Sequence, residues 1–386
     1  MTAQPQMTPQ QMDAQATSIV LGNCQPIWLK IASITNAQYP YVAGQAQTIN
    51  LPITNLGIVR KLVVKLTATV AQGAAETQTA STFGGANALS QVILTDLNNL
   101  TRINTTGWHL NLLGTARRQL ASGAAFTSDN PNGLGSNYAL NTTPQSVTVA
   151  QTLSQFWELP LAYSDTDLRG AMFANVNNAT SNLQLTLNPN FFVSSTGNAT
   201  QAVYKSSTAQ LGQITSYTLE VWQETLDQLP RDANNNFILP TLSLQTQYNI
   251  MNVVQTGLAV GADFSLPYSN LRQYLSSFVV LDNGGTLNAG ADLNYISMTA
   301  ANSMAIFKMT PPMLQYVYGR WAINDDWPKG VYYIPSRVKP ISTANYGNIQ
   351  LNINPSTVNA GAQLLIGYES MIMTQQLQAA GSVLAN

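Results

Sequence analysis

Leu183-Gln184-Leu185-Thr186-Leu187-Asn188-Pro189 alternates apolar and polar residues up to an Asn-Pro stop, and the pattern returns as Ile349-Gln350-Leu351-Asn352-Ile353-Asn354-Pro355. Alternation of period two is the mark of a half-buried β-strand, and a proline ends it. Upstream, Leu51-Pro52-Ile53-Thr54-Asn55-Leu56 is echoed by Leu266-Pro267-Tyr268-Ser269-Asn270-Leu271, each leading into an apolar run. Downstream, Tyr217-Thr218-Leu219-Glu220-Val221-Trp222 has its counterpart in Leu364-Leu365-Ile366-Gly367-Tyr368-Glu369. Three echoes in one order point to a β-rich domain duplicated within the chain, with longer loops in the first copy. Duplication of this kind suits the construction of a large particle better than it suits catalysis.

A chain of 386 residues can hold two domains with separate cores. Only 9% of residues are charged and the net charge is −1, so no basic field is present to hold a nucleic-acid backbone. A weakly charged surface also repels copies of itself weakly, which suits self-association. The single cysteine, Cys24, excludes an intrachain disulfide. The first residues lack the basic patch and apolar stretch of a secretory signal, and no run is long enough to span a bilayer, so synthesis and folding in a cytoplasm are expected.

Thr8, Pro9 and Gln11 form a capping box with proline at the first helical position, so a short helix is expected from about Pro9. Met12, Ala16, Ile19 and Val20 fall on one face of it, with Gln11, Asp13 and Gln15 elsewhere, and packing on protein is favoured over packing on lipid because no Lys or Arg precedes Lys30. Leu62, Val64, Leu66, Ala68 and Val70 then alternate with polar residues as a half-buried strand. Further strands are expected between turn-forming clusters such as Gly84-Gly85-Ala86-Asn87, Asp129-Asn130-Pro131-Asn132-Gly133 and Asp282-Asn283-Gly284-Gly285. Two helical interruptions are expected in the first half. One follows Thr106 with Trp108, Leu112, Leu113, Ala116 and Leu120 at helical spacing and Arg117 and Arg118 near its negative end; the other follows a capping box of Ser164 and Asp167 ahead of Leu168, Met172 and Phe173. The polar stretch Pro230-Arg231-Asp232-Ala233-Asn234-Asn235-Asn236 is the natural boundary between copies.

No catalytic, cofactor-binding or metal-binding residue is assigned. His109 is the only histidine and lies between Trp108 and Leu110 on an expected helix, a structural position, and no Gly-x-Ser-x-Gly elbow accompanies it. A hydrolase would require it to be accessible and paired with a nucleophile. Cys24 lies far from any histidine and reads as a small buried residue. Asp165 with Asp167, Asp325 with Asp326, and Asp232 could offer oxygen ligands to calcium, but none has the helix-loop-helix spacing, and capping and turn chemistry account for Asp167 and Asp232. Gly84-Gly85 and Gly284-Gly285 lack the lysine of a phosphate loop. The sequon-like triplets Asn141-Thr142-Thr143 and Asn198-Ala199-Thr200 reflect composition. Tyr316, Tyr318, Trp321 and Trp327 gather in one stretch and read as core or subunit-contact aromatics before sugar-stacking ones.

Longer strings bring a family into view: Gly107-Trp108-His109-Leu110, Pro160-Leu161-Ala162-Tyr163-Ser164, Asp167-Leu168 with Gly170-Ala171, and Leu226-Asp227-Gln228-Leu229-Pro230. In the second half follow Asp282-Asn283-Gly284-Gly285, Asn288-Ala289-Gly290, Asn294-Tyr295, Pro328-Lys329-Gly330-Val331-Tyr332-Tyr333, Tyr346-Gly347-Asn348 and Gly367-Tyr368-Glu369. With these, the chain resembles the major capsid proteins of tectiviruses, icosahedral bacteriophages with a membrane beneath the shell, from about Leu51 to Glu369. The segments from Ser122 to Gln155 and from Ser303 to Asn324 depart from the pattern, as exposed loops do.

The resemblance implies an all-β double jelly roll, two tandem eight-stranded jelly rolls with short helices in loops and an N-terminal helical arm. The expected divisions are residues 1–24 for the arm, 25–238 and 239–376 for the two rolls, and 377–386 for a C-terminal tail. It further implies a capsid protein, not an enzyme and without a cofactor: a pseudo-hexagonal homotrimer that assembles in the host cytoplasm into an icosahedral shell around a membrane vesicle enclosing the genome. Its expected partners are neighbouring capsomers, penton or vertex and minor capsid proteins, and the inner viral membrane on the side of the N-terminal arm, with no direct sequence-specific binding of nucleic acid. The alternative is a secreted carbohydrate-binding, lectin-like β-sandwich, since jelly rolls serve that role too and the chain is rich in aromatic and amide side chains.

Overall fold

The alternating stretch around Leu62 forms a 14-residue strand, Ile58–Ala71, whose even-numbered side chains from Leu62 to Val70 are buried while their neighbours are half-exposed. The computed structural model describes residues 7–72, 78–81, 83–122, 146–175, 179–194, 201–206, 212–285, 287, 292–301, 304–319, 330–337 and 339–372. Sixteen of the described strands make up two rolls. In the first they are β1 (Pro26–Thr35), β2 (Gln47–Pro52), β3 (Ile58–Ala71), β4 (Leu89–Thr95), β5 (Thr101–Thr105), β6 (Gln151–Pro160), β7 (Asn182–Leu187) and β8 (Gln213–Leu226). In the second they are β9 (Tyr248–Gln255), β10 (Phe264–Tyr268), β11 (Arg272–Asp282), β12 (Leu293–Ala300), β13 (Met304–Met309), β14 (Val331–Pro335), β15 (Ile349–Pro355) and β16 (Gln363–Ile372).

The order β1-β8-β3-β6 in one sheet of the first roll is matched by β9-β16-β11-β14 in the second, and β2-β7-β4-β5 is matched by β10-β15-β12-β13. Each strand thus corresponds to the strand eight places later, the double jelly roll expected from the echoes. All three echoes fall on corresponding strands: β2 with β10, β7 with β15, β8 with β16. The register drifts by two residues, since Leu51 lies opposite Leu183 but Leu266 lies opposite Leu351. A shift of two keeps every side chain on its original face, so the inside-outside pattern survives it.

The rolls share a sheet. Strand β5 pairs in parallel with β9, Ile103 opposite Ile250 and Asn104 opposite Met251, which fuses β2-β7-β4-β5 to β9-β16-β11-β14. A strand buried on both faces loses its alternation. In β11, Phe278 and Val280 belong to the large core shared by the first roll and the junction, while Val279 and Leu281 enter the core of the second roll.

The helices are α1 (Pro9–Asn23), α2 (Gly107–Ser122), α3 (Thr241–Gln245) and α4 (Pro311–Gly319). The expected capping box opens α1, with Thr8 Oγ1 accepting from Gln11 N at 3.3 Å and Gln11 Oε1 accepting from Thr8 N at 2.8 Å. Its buried face is narrower than expected: Ala16 and Val20 are buried, Ile19 is half-buried and Met12 is exposed.

The second expected interruption is corrected. Ser164 to Phe173 is no helix: Met172–Phe173 is a short strand paired with Ile58 and Val59 of β3. Asp167 caps nothing helical, because its carboxylate takes both the backbone N–H and the guanidinium of Arg169, at 2.6–3.0 Å. Gly170 at φ +88° then breaks any turn, and its missing side chain admits Tyr248, whose Cβ would lie 2.5 Å from a Cβ at 170. Gly84–Ala88, expected as a turn, is a fully buried 3₁₀ helix. Asp129 to Gly133, both sequon-like triplets, Asn288-Ala289-Gly290, Asp325, Asp326, Trp321, Trp327 and the tail 377–386 lie outside the described residues.

Candidate functional site

With no catalytic constellation expected, the functional surfaces of interest are the junction that makes one rigid body of two rolls and the seat of the N-terminal arm. Around the β5–β9 pair, Asn249 donates from Nδ2 to the carbonyls of Thr101 and Arg102, at 3.2 and 3.4 Å, and accepts from Arg272 Nη1 at 2.7 Å. Arg102, itself in β5, pairs with buried Asp96 at 2.8 Å and donates to the Gly170 carbonyl at 2.7 Å. Buried charges are tolerable only when so satisfied.

Helix α2 is the wedge. Emerging from β5, it buries Trp108, His109, Leu110, Leu112, Leu113 and Ala116, and it lies against the outer face of the β9-β16-β11-β14 sheet. His109 is fully buried, its Nδ1 2.6 Å from Thr105 Oγ1 and its ring edge-on to Phe278. Gly367 leaves the room for it: a Cβ there would lie 2.5 Å from His109 Cγ and Nε2. Arg117 was expected to act at the helix end; instead its Nη2 donates to the carbonyls of Ala162 and Tyr163, at 3.0 and 2.9 Å, and its guanidinium lies over the ring of Tyr248.

Behind these groups sits Glu369 of β16, 1% exposed. Tyr248 Oη donates to its Oε2, and Arg337 Nε lies 3.6 Å from its Oε1. Burial by itself would raise the Glu369 carboxyl, but the guanidiniums of Arg337 and Arg117 outweigh it and hold the pKa below the ordinary value. Arg337 in turn lies over Tyr163, whose hydroxyl donates to the Arg337 carbonyl at 3.0 Å. The first roll supplies Arg117 and Tyr163 and the second Tyr248, Arg337 and Glu369, so the cluster is a polar rivet through the junction.

Burial lowers the pKa of His109 to about 3. The sign follows from linkage: an unfolded chain takes up this proton below about 6.5, the folded chain only near 3, so stability falls as pH falls through that window, by at most about 1.4 kcal/mol per unit. Between pH 6.5 and 5 the native protein is expected to lose about 2 kcal/mol more in denaturant titrations than His109→Gln does; equal slopes would contradict this. The hydrolase reading fails here, since its histidine would have to be accessible.

The arm has its own anchor. Asp13, placed by the helical pattern outside the packing face, accepts from Leu242 N at 2.8 Å and Ser243 N at 3.3 Å and from Ser243 Oγ at 2.6 Å, so it caps α3 from another part of the chain. The helical pattern misses it because the partner is more than two hundred residues away. Val20 and Cys24 pack with Ile58, Leu168, Ala171 and Leu226. A groove of about 640 Å³ runs between α1, α3 and the end of β16. Asp13→Ala is expected to cost about 1–2 kcal/mol locally, seen as faster hydrogen exchange and protease cleavage in α1 with the rest of the fold unchanged.

The remaining candidates serve structure. Cys24 is buried, and burial raises its thiol pKa. Asp165 pairs with Lys61 at 3.2 Å, and Asp232 accepts from the backbone N–H groups of Asn234 and Asn236 in its own turn. Among the described residues, no group of three His, Cys, Asp or Glu side chains is arranged for a metal ion, and no helix is long and apolar enough to cross a membrane. Of the aromatic stretch, Tyr316 stands on α4 and is 79% exposed.

Comparison with known proteins agrees with this architecture. The family described as P3 major capsid protein N-terminal matches residues 3–229, and P3 major capsid protein C-terminal matches residues 245–385. The chain is 36% identical over 374 residues to major capsid protein P3 of Enterobacteria phage PRD1, covering 96% of this chain and 93% of that one. Among solved structures, it superposes on the STIV MCP with a TM-score of 0.61 at 12% identity, over 90% of this chain and 97% of that one. The PBCV-1 virus capsid gives 0.51 at 13% identity, over 91% and 95%. The lectin-like alternative finds no support in these likenesses. Two matched rolls, fused through one sheet and matched along nearly their whole length to a tectivirus coat protein, make this chain a member of the P3 major capsid protein family.

Proposed function

We propose that three copies of this capsid protein form a homotrimeric capsomer with six rolls around its axis, and that such capsomers tile an icosahedral shell over a membrane vesicle holding the genome. The observation that carries the reading is the strand-for-strand correspondence of the two rolls in a chain of a capsid family: three such chains present six similar edges, which lets a three-fold body occupy a near-hexagonal lattice. Contacts within the trimer must be large and well packed, while those to neighbouring capsomers and to vertex and minor proteins can be weak because many act together. The division into an arm at residues 1–24, rolls at 25–238 and 239–376 and a tail at 377–386 belongs to this reading.

The arm faces the membrane side. Helix α1 is fastened through Asp13, Ala16 and Val20, while Met7 and Met12 stay exposed. Assembly takes place in the host cytoplasm, and the chain has neither a catalytic role nor direct sequence-specific contact with nucleic acid. Native mass spectrometry of the full chain tests the reading: a species of roughly 125 kDa, three times the chain mass of 41.6 kDa, is expected, and a monomer at all concentrations would overturn it.

A further inference from the structure

We infer that the junction inside the chain is the template for the junction between chains: β13 and α4 of one copy dock on β1 and the outer face of the β1-β8-β3-β6 sheet of the next. The inference deepens the trimer reading and rests on it. Within one chain, β5 pairs with β9, and α2, which follows β5, covers the outer face of the sheet containing β9. The strands corresponding to β9 and β5 are β1 and β13, and each ends its sheet, with no further strand beside it among the described residues. The edge strands β6 and β14 have α2 and α4 against them, and β2 and β10 are left over equally in both rolls. Only β1 and β13 form the unmatched half of a junction. Each is a strand with a single charged residue, Lys30 or Lys308, so each is a weakly guarded template for pairing.

The echoes fix the register. Through β8 and β16, Lys30 and Ala32 occupy the places of Ile250 and Met251. Through β7-β4 and β15-β12, Met304 and Ala305 occupy the places of Ile103 and Asn104. Repeating the internal pairing sets Met304 of one copy beside Lys30 of the next, and Ala305 beside Ala32.

The helices agree independently. Leu110 N donates to Thr106 O in α2, and Leu314 N donates to Thr310 O in α4; Leu110 and Leu314 are both buried. On this alignment Met313 takes the place of His109 and Tyr316 that of Leu112, yet Met313 and Tyr316 are 50% and 79% exposed where His109 and Leu112 are buried. The surface they would meet is exposed too. Tyr248, lying under α2, corresponds to Trp28, which is 48% exposed with Lys61 5.9 Å from its ring centre. Where the internal junction has Phe278 beside Gly367, this face has Lys65 beside Glu220, so the contact between copies is the more polar of the two.

Two experiments on the full chain test this. With Ala32→Cys and Ala305→Cys together, mild oxidation should link copies into covalent dimers and trimers on a non-reducing gel, and neither single variant should. Met313→Asp with Tyr316→Asp, both at exposed positions, should give folded monomers with an unchanged circular dichroism spectrum. A 125-kDa trimer that does not cross-link and whose β1 and β13 amides exchange freely in the unmodified protein would overturn the edge pairing and leave the trimer reading standing. A trimer untouched by the α4 substitutions would overturn the helix contact. An unmodified protein that is monomeric would overturn the trimer reading itself.

Discussion

Glu369→Ala is expected to cost about 3–5 kcal/mol, the range for removing one partner of a buried charge cluster. The loss is not the worth of one ion pair. Arg337 and Arg117 would remain beside a cavity with no carboxylate, and the Tyr248 hydroxyl would lose its acceptor. Glu369→Gln should recover part of the loss, because it keeps the volume and an acceptor for Tyr248 while forfeiting the charge. Urea titrations of the three proteins at pH 7 check this; an alanine variant within 1 kcal/mol of the native protein would mean that the cluster does not rivet the rolls. The pH dependence has a definite sign. A carboxyl with a depressed pKa stabilises the fold above its unfolded value near 4.5, and the contribution is lost as pH falls through the lower folded value, so acid should act on the junction through Glu369 below the window in which His109 acts.

Gly367→Val is the second large effect. The position has no positive φ to preserve; its constraint is space, since any Cβ there invades the His109 ring. Overpacking of this kind costs about 1–3 kcal/mol, and more where neighbours cannot yield. His109 cannot yield, being held by Thr105 on one side and Phe278 on the other, so α2 as a whole would have to lift from β16. Gly367→Val should therefore lower the melting temperature and the yield of folded protein more than Gly367→Ala does. Coupling tests the cause: His109→Ala in the Gly367→Ala background should be less harmful than the sum of the single changes, by about 0.5–3 kcal/mol. Strict additivity would show that the clash is relieved elsewhere.

The sequence and the structure agree most closely where information is local. Alternation in β3, the Thr8–Gln11 capping box and the apolar face of α2 each depend on residues within a few positions of one another, and each is found as expected. The duplication was legible because corresponding strands kept their inside-outside pattern through a register drift of two. Local signals misled where another segment competed for the same groups. Ser164 and Asp167 carry the spacing of a capping box, but Arg169 takes the carboxylate and β3 takes Met172–Phe173 into a sheet. Asp13 reads as solvent-facing until α3 arrives to use it.

The junction was the least legible part. The parallel pairing of β5 with β9 involves two residue pairs from distant parts of the chain, and nothing in either strand announces it. The lack of alternation in β11 was the available signal: Phe278-Val279-Val280-Leu281 can all be buried only if something covers both faces, and α2 is that cover. The same reasoning singles out the first roll, whose corresponding strand β3 alternates cleanly because no helix of its own chain covers its outer face.

The central claim is that two rolls joined through β5 and β9 repeat around a three-fold axis. A cryo-electron microscopy reconstruction of the purified full-length protein, resolved well enough to separate strands, tests it most directly. The account predicts a three-fold particle with six upright rolls, in which β13 and α4 of each chain lie against β1 and the sheet beside it in the next. A particle of one chain, or a trimer held together through other surfaces with β1 and β13 open to solvent, would contradict it.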